Sequence, residues 1–247
     1  MELLENISQN TAPKNSCYIV CRGNDSKLRT KFSPVLNSNG CEIAVVGLST
    51  YYSYPNITDK NNLIEICDDK EIHHKIFLPK GCYEIRDINK YIRNIFSWDE
   101  GKEIVKISSD TVTLRTHISI KEKLWHVIFP EKNSLGSILG FKSGDYSGEK
   151  TYTSQKIANI LSVNNILVQC DVISGSSING KPAPVIFNYS PNVQAGRKIV
   201  AEPVIPIYLP VTVDHIHELN VWITDQDNFL LDIQQEDIVV TFHLRSR

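Results

Sequence analysis

Hydrophobic and polar residues alternate along much of this chain, which is the pattern of β-strands with one buried face. The segment DIVVTFHLR near the end of the sequence shows the alternation most plainly. Its polar set includes Thr241 and Arg245, which fall on the face opposite the apolar residues. The predicted buried positions are Ile238, Val240, Phe242 and Leu244. We therefore predict a half-buried antiparallel strand in this segment.

The same alternation recurs upstream and predicts roughly ten strands separated by turn-rich segments such as NSNG and SGSSINGKPAP. In VNNILVQCDVIS the predicted inward residues are Ile166, Val168, Cys170 and Val172. In TVTLRTHISI they are Val112, Leu114, Ile118 and Ile120. The other predicted strands are CYIVCRG, LRTKFSPV, CEIAVVGLSTYYSY, LIEICDD, HHKIFLP, PVIFNYS, VIPIYLPVTV and VDHIHELNVWITDQD.

Two segments have helical spacing instead. In YEIRDINKYIRNIF the apolar residues recur every three or four positions, which predicts a helix with one buried face. Its predicted buried residues are Ile85, Ile88, Ile92, Ile95 and Phe96. In NSLGSILGF we expect Asn133 to cap the start of a shorter helix and Gly140 to end it. Its inward residues are Leu135, Ile138 and Leu139.

Many short strands, long polar connections and two packed helices predict an all-β fold, a single jelly-roll β-sandwich with two short helices inserted in strand connections. No internal repeat or long linker divides the chain. We therefore expect a flexible N-terminal segment over residues 1–15 and one jelly-roll domain over residues 16–247.

Composition and charge narrow the function classes. Hydrophobic residues make up 41% and charged residues 22% of the chain, which is ordinary for a protein with a packed core. The net charge of -2 provides no bulk attraction to nucleic acid or to an anionic membrane, so we expect no specific nucleic-acid binding. No apolar run is long enough to span a membrane, and the N-terminus lacks the pattern of a secretory leader.

The sequence carries no familiar catalytic motif. There is no G-x-S-x-G, no Walker A loop and no G-x-G-x-x-G. The six cysteines are scattered without a C-x-x-C pair, so we expect reduced thiols and no zinc site or disulfide framework. We predict that the protein is not an enzyme and has no catalytic residues, cofactor or metal.

His215 and His217 are the strongest candidate metal ligands. Strand alternation places both on the face shared with Leu219 and Val221, while Glu218 points to the other face. The spacing resembles the H-x-H-x(3,4)-E pattern of cupins, but no glutamate stands at the required distance. Because a metal would need a third ligand from elsewhere, we favour two histidines bonded to their neighbours.

Two further polar motifs have ordinary interpretations. TDQDNF resembles the start of a calcium loop, but Phe229 replaces the third carboxylate and the loop glycine is missing, which favours a polar hairpin turn. His73 and His74 are adjacent, so a strand directs them to opposite faces, and we expect the pair at a sheet edge.

Longer stretches resemble a known family. They are FLPKGCYEIRDINKYI, LGSILGF, LSVNNILVQCDVISGSSINGKPAPVIFNYSPN and PIYLPVTVDHIHELNVWITDQDNFLLDIQQEDIVVTFHLR. Their wording and order are similar to the minor capsid (penton) proteins of Polinton or Maverick elements and the related adintoviruses. The resemblance covers residues 70–247, whereas the first 70 residues match less well.

This resemblance implies a jelly-roll capsid protein that forms homopentamers at the fivefold vertices of an icosahedral virion. It further implies a double jelly-roll major capsid protein as the partner, and a virion made and assembled inside the host cell. A ring of identical subunits needs a rigid sandwich whose flanks fit each other.

The segment STYYSYPN supplies a candidate for such a contact. A mixture of polar and aromatic residues is typical of interface cores, so Tyr51, Tyr52 and Tyr54 are candidate interface residues. The alternative is that these tyrosines pack inside the sandwich.

Two other functions stay open beside the capsid role. One is a jelly-roll binding module of lectin-like or receptor-binding type. The other is a cupin-type metal-dependent enzyme using His215 and His217.

Overall fold

The computed structural model describes residues 16–247, so the flexible segment predicted for residues 1–15 lies outside the described residues. The chain divides into two compact units. The first unit contains residues 16–54 and Val163–Arg247, and the second contains Pro55–Ser162. The second unit is therefore an insertion into the chain of the first. The interpretation of residues 16–247 as one domain stays a prediction.

Strands dominate both units. In chain order the elements are β1 (Ser16–Gly23), β2 (Lys27–Asn37), β3 (Cys41–Tyr51), β4 (Leu63–Cys67), β5 (His73–Phe77), α1 (Ile85–Ile95), β6 (Val105–Ser109), β7 (Arg115–Ile120), β8 (His126–Phe129), α2 (Gly136–Leu139), β9 (Gly144–Ser147), β10 (Lys150–Ile157), β11 (Ile166–Cys170), β12 (Ser177–Ile178), β13 (Lys181–Pro182), β14 (Val185–Tyr189), β15 (Lys198–Ala201), β16 (Leu209–Pro210), β17 (His215–Thr224) and β18 (Ile238–Ser246).

The first unit is a jelly roll. One of its sheets has the order β1-β18-β3-β15, with the short β16 also paired to β3. The other sheet has the order β14-β11-β17-β2. All these neighbours are antiparallel, and most strands that follow each other in the chain lie in opposite sheets, as in a double Greek key. The predicted all-β jelly-roll fold is confirmed.

The core of the first unit is built from the alternating strands. In β18 the predicted residues Ile238, Val240, Phe242 and Leu244 are all buried. In β11 the predicted inward residues are buried too, but Leu167 and Gln169 on the opposite face are also covered. The side chain of Gln169 donates hydrogen bonds to the Thr224 hydroxyl and to Asn228 Oδ1, which satisfies the polar group in this setting.

The second unit holds both helices, between β3 and β11 of the jelly roll. It contains one sheet with the order β5-β4-β8-β9 and another with the order β10-β7-β6. Apolar residues from both sheets and both helices form its own core. The prediction of two helices inserted in strand connections is therefore correct, with both helices in the same connection.

Helix α1 agrees with its prediction except at its end. Asp87 accepts a hydrogen bond from the backbone N–H of Glu84 at 3.0 Å, which satisfies a donor that the first turn leaves free. Ile85, Ile88 and Ile92 are buried. Ile95, the last residue of the helix, is 47% exposed, whereas Phe96 beyond it packs against the core of the second unit.

Helix α2 ends as predicted but starts differently. Gly140 has φ +80°, and a Cβ added there would lie 2.3 Å from the carbonyl oxygen of Lys156. Asn133 is not the cap, because Leu135 is the residue before the first turn. The carbonyl of Asn133 instead accepts a hydrogen bond from the N–H of Leu63 at 2.7 Å.

Two predicted strands are wrong in part. Strand β7 begins only at Arg115, and Val112 is 87% exposed. The reason is Asp110, whose carboxylate accepts hydrogen bonds from the Val112 N–H and the Thr113 hydroxyl and so holds a turn there. In VIPIYLPVTV only Leu209–Pro210 is a strand.

Candidate interaction surface

The first sheet of the jelly roll has one face toward the core and one face away from it, which we call the outer face. The side chains of its four main strands alternate between the two faces. Those that point outward are Tyr18, Val20, Arg22, Glu42, Ser49, Tyr51, Lys198, Val200, Val239, Thr241, His243 and Arg245. Most are polar, as expected for a face in contact with water, and the apolar exceptions that are more than half exposed, Tyr18, Val20 and Val200, lie on the two edge strands.

One group of exposed apolar residues lies on β1, an edge strand of this sheet. Tyr18 is 71% exposed and Val20 is 57% exposed. We call these two residues the β1 edge. Alternation in CYIVCRG places Tyr18 and Val20 on the same face, but the segment is apolar on both faces, so the sequence alone does not say which face is buried.

A second group lies at the opposite edge, on β15 and in the segment that follows it. Val200, Val204, Ile205 and Ile207 form what we call the β15 edge, and Val204 is almost fully exposed. Pro203 and Pro206 lie on either side of Val204 and Ile205. Because proline has no N–H to donate to a β-ladder, the first part of the predicted strand VIPIYLPVTV does not form.

An apolar cleft of about 350 Å³ adjoins the β15 edge. Its lining includes the apolar residues Val45, Ile186, Phe187, Ile205, Ile207 and Leu209. Ser176 and Asn188 add polar groups, and no charged side chain lines the cleft within the described residues. The prolines inside an apolar run were the signal in the sequence that this segment is not an ordinary strand.

Tyr208, the residue that follows the β15 edge in the chain, is held to the sheet by His243. The Tyr208 hydroxyl lies 2.8 Å from His243 Nδ1, and the Ser16 hydroxyl lies 2.8 Å from His243 Nε2. The Tyr18 ring is 4.9 Å from the His243 ring, centre to centre. One histidine therefore contacts both β1 and the residue that ends the exposed segment.

Arg245 fixes Tyr208 from a second side. Its guanidinium carbon lies 3.5 Å from the centre of the Tyr208 ring, a cation–π contact. Glu42 holds the same guanidinium through two nitrogens, each 2.7 Å from Oε1. The exposed apolar residues before Tyr208 are thus presented by an anchored segment.

The structure separates the three candidate tyrosines. Tyr52 and Tyr54 are buried in the core of the first unit, with ring centres 5.2 Å apart. The Tyr52 hydroxyl lies 3.5 Å from the carbonyl oxygen of Val163, and burial raises the pKa of Tyr54. Their burial agrees with the alternative that they pack inside the sandwich, because alternation from the buried Thr50 directs Tyr52 and Tyr54 to the same face.

Tyr51 differs from the other two tyrosines. It is 36% exposed on the outer face, where Lys198 of β15 is its cross-strand partner. Its assignment to an interface stays a prediction.

The prediction for the faces of His215 and His217 is wrong. Both are exposed, while Ile216 between them and Leu219 beyond them are buried. The ladder with β2 shifts register between Ile216 and Glu218, opposite a stretch that contains Pro34. An irregularity of this kind changes which residues point inward, so the alternation before it cannot be continued through it.

Glu218 is placed by this irregularity beside a basic residue. Arg29 Nε lies 2.6 Å from Glu218 Oε1, and the hydrogen bond from Arg29 lowers the pKa of Glu218. His215 Nδ1 lies 2.6 Å from the carbonyl oxygen of Asp214. The His215 contact joins neighbouring residues, as the ordinary interpretation expects for this histidine.

The other polar motifs behave as predicted. His73 and His74 lie on β5, an edge strand of its sheet, and contact Glu65 and Asp68 respectively. Asp225 accepts hydrogen bonds from the N–H groups of Asp227 and Phe229, which makes TDQDNF a turn.

All six cysteines are free thiols in the structure. Burial raises the pKa of Cys170 to about 12, which suppresses its thiolate. Within residues 16–247 no group of three histidine, cysteine, aspartate or glutamate side chains is arranged to hold a metal ion. No helix of the described chain has the length and apolar character needed to cross a membrane.

Comparison with known proteins identifies the fold. No protein-family model matches the chain, and no curated protein matches its sequence. A crystal structure of the mavirus penton protein has a similar fold, with a TM-score of 0.51 and 12% sequence identity. The similarity covers 95% of this chain and 100% of the mavirus chain, so it extends over both units. At this identity the match establishes a penton-like fold.

Proposed function

We propose that this protein is a structural subunit of a viral capsid, a penton (minor capsid) protein that forms homopentamers at the fivefold vertices of an icosahedral virion. The observation that carries the proposal is the shared fold with the mavirus penton protein over nearly the whole length of both chains. Fold by itself does not determine function, because one architecture hosts many activities. The match extends over the inserted unit of this chain as well as its jelly roll, which makes the correspondence more specific.

The finer assignment rests on sequence motifs. Their wording and order over residues 70–247 resemble the penton proteins of Polinton or Maverick elements and adintoviruses. We accordingly propose a double jelly-roll major capsid protein as the partner around each vertex, and the virion as the final location after assembly inside the host cell.

The proposed role requires rigid surfaces and no reacting groups. A closed ring of identical subunits uses two different surfaces of each subunit, repeated around the axis. The outer face and its two apolar edges are candidates for such contacts, since contiguous exposed apolar surface marks sites of protein association. Tyr51 belongs to the same face and remains a candidate contact residue.

The absolute mass in solution tests the proposal. Light scattering over a concentration series should give five times the 28.0 kDa of the single chain, and electron microscopy of that species should show a fivefold ring. A chain that stays monomeric both alone and with the purified major capsid protein would contradict the proposal. A monomer whose melting temperature rises with calcium or a sugar would favour the binding-module alternative.

A further inference from the structure

We propose that the contact between neighbouring copies joins two different surfaces of the jelly roll: the β1 edge of one copy, Tyr18 and Val20, inserts against the β15 edge and its apolar cleft on the next copy. This inference rests on the proposed ring. It adds which residues meet and in which direction the copies are arranged.

The first argument is the amount of apolar surface. Val200, Val204, Ile205 and Ile207 are 57%, 99%, 78% and 72% exposed and lie within eight residues of one another. Together with the neighbouring cleft they form an exposed apolar patch on the order of a few hundred Å². Monomeric soluble proteins rarely expose a larger apolar patch than this. The β1 edge adds a tyrosine and a valine that are more than half exposed. These residues alone cover less than the roughly 800 Å² per partner that a stable protein interface buries, so they would form its apolar centre and polar residues around the two edges would complete it.

The second argument is the location of the two patches. The β1 edge and the β15 edge lie on opposite edge strands of one sheet, with β18 and β3 between them. The outward residues of those central strands are mostly polar or charged, namely Glu42, Ser49, Thr241, His243 and Arg245, with Tyr51 and Val239 as the exceptions. A two-fold contact would cover both patches only by stacking the whole outer faces, which would also bury the polar and charged residues between the two edges. A head-to-tail contact covers both patches in every copy without that burial, and it closes into a ring when the rotation between neighbours fits a whole number of copies.

The third argument is the match between Tyr18 and the cleft. A tyrosine ring is a large, fairly rigid anchor for an interface, and it is most favourable where the ring is dry and its hydroxyl has a partner. The cleft is lined by apolar side chains, with Ser176 and Asn188 as hydrogen-bonding groups. The absence of charged residues from the described lining means that an entering ring desolvates no charge.

The fourth argument is preorganisation. Pro203 and Pro206 restrict the backbone of the β15 edge. Tyr208 fixes the end of this segment through its contacts with His243 and Arg245. The β1 edge is part of a regular ladder with β18. Because both surfaces are held before they meet, association orders little additional chain.

Single charged substitutions test the two surfaces. Val20→Asp should disable only the β1 edge, and Ile205→Asp only the β15 edge. Phe229→Asp is the matched control, because Phe229 is 70% exposed in the first unit but lies outside both edges. We expect the first two variants to fall from a fivefold mass to the monomer mass at the concentration where the control keeps the ring. Circular dichroism and the melting temperature of each variant check that the chains remain folded.

Mixing the two variants tests the direction of the contact. Val20→Asp retains an intact β15 edge and Ile205→Asp retains an intact β1 edge, so the mixture should form a one-to-one dimer and nothing larger. If Val20→Asp alone forms a dimer, the β15 edge pairs with itself and the head-to-tail contact is wrong. If all variants keep the ring, these surfaces are wrong while the proposed ring stands.

If the wild-type chain is monomeric in isolation, the proposed contact can be tested by disulfide cross-linking between copies. In the double variant Val20→Cys, Ile205→Cys, oxidation should produce cross-linked species of up to five copies, and each single cysteine variant serves as the control. Cross-linking no greater than in these controls would overturn this contact, whereas the homopentamer is tested separately by the mass measured in the presence of the major capsid protein.

Discussion

Gly140 is a residue whose identity is required by its surroundings. Its φ of +80° and the short distance that would separate a Cβ from the Lys156 carbonyl leave no room for a side chain. We predict that Gly140→Ala lowers the free energy of unfolding by at least about 2 kcal/mol, from backbone strain together with the clash. Chemical denaturation monitored by circular dichroism measures this change.

Gly148→Ala is the control for that experiment. Its φ is +84°, but a Cβ there would meet nothing within 4 Å, so only the cost of the left-handed backbone, about 1 kcal/mol, is expected. Equal losses in the two variants would mean that the contact with Lys156 does not matter.

Tyr51 and Tyr52 are adjacent residues with opposite environments. Tyr52→Ala removes a ring that is 6% exposed in the core and should destabilise the protein by about 3–5 kcal/mol without changing its oligomeric mass. Tyr51→Ala removes a ring on the outer face and should change stability by less than about 1 kcal/mol.

Comparing mass and stability for both variants separates packing from contact. Loss of the oligomer in Tyr51→Ala at unchanged stability would support the interface assignment of Tyr51. An unchanged melting temperature in Tyr52→Ala would contradict the burial argument.

At the scale of the element, β17 shows the limit of period-two reasoning. The alternation is correct on each side of His217, but the register shift opposite Pro34 joins two stretches with opposite phase. A proline inside the predicted strand LRTKFSPV was the signal that its ladder would be interrupted. The sequence did not indicate which partner strand the interruption would affect, because strand pairing is set by residues far apart in the chain.

The pairing of β2 with β17 has a consequence for pH dependence. The hydrogen bond from Arg29 lowers the pKa of Glu218 in the folded state, so the unfolded state binds the proton more readily. The stabilisation is therefore present above the ordinary glutamate pKa and is lost as the pH falls through the lowered one. We predict that Arg29→Gln is destabilising at pH 7 and that the difference from wild type vanishes in strong acid.

Urea denaturation of both proteins over a pH series measures this effect. Lys27→Gln on the same strand is the control, since its removal leaves the Arg29–Glu218 pair intact. A difference for Arg29→Gln that is constant down to the most acidic pH would contradict the assignment to Glu218.

At the scale of the whole molecule, the two units raise the question of cooperativity. Each has its own buried apolar cluster. The one-domain interpretation of residues 16–247 predicts a single calorimetric unfolding transition that moves as a whole with a mutation in either unit. Phe242→Ala probes the first unit and Gly140→Ala the second. Two transitions, each moved by only one of these variants, would show that the units unfold separately.

The local pattern by itself determined the all-β class, the position of both helices, the end of α2 at Gly140, and the buried face of β18. These features depend on neighbours a few residues apart, through the period of a strand or helix and the backbone freedom of glycine. The family resemblance added the capsid hypothesis, and the penton-like fold agrees with it.

Tertiary structure alone decided the features on which the proposed contacts depend. Tyr52 is buried because Val163, more than a hundred residues away, lies beside it, and Ile205 is exposed because no strand covers the segment between its two prolines. The order of strands in the two sheets and the change of phase in β17 likewise arise from pairings between distant segments. The alternating pattern assigns the residues of a strand to two faces. Only packing against the rest of the chain determines which apolar residues are buried and which stay exposed for a contact with another copy.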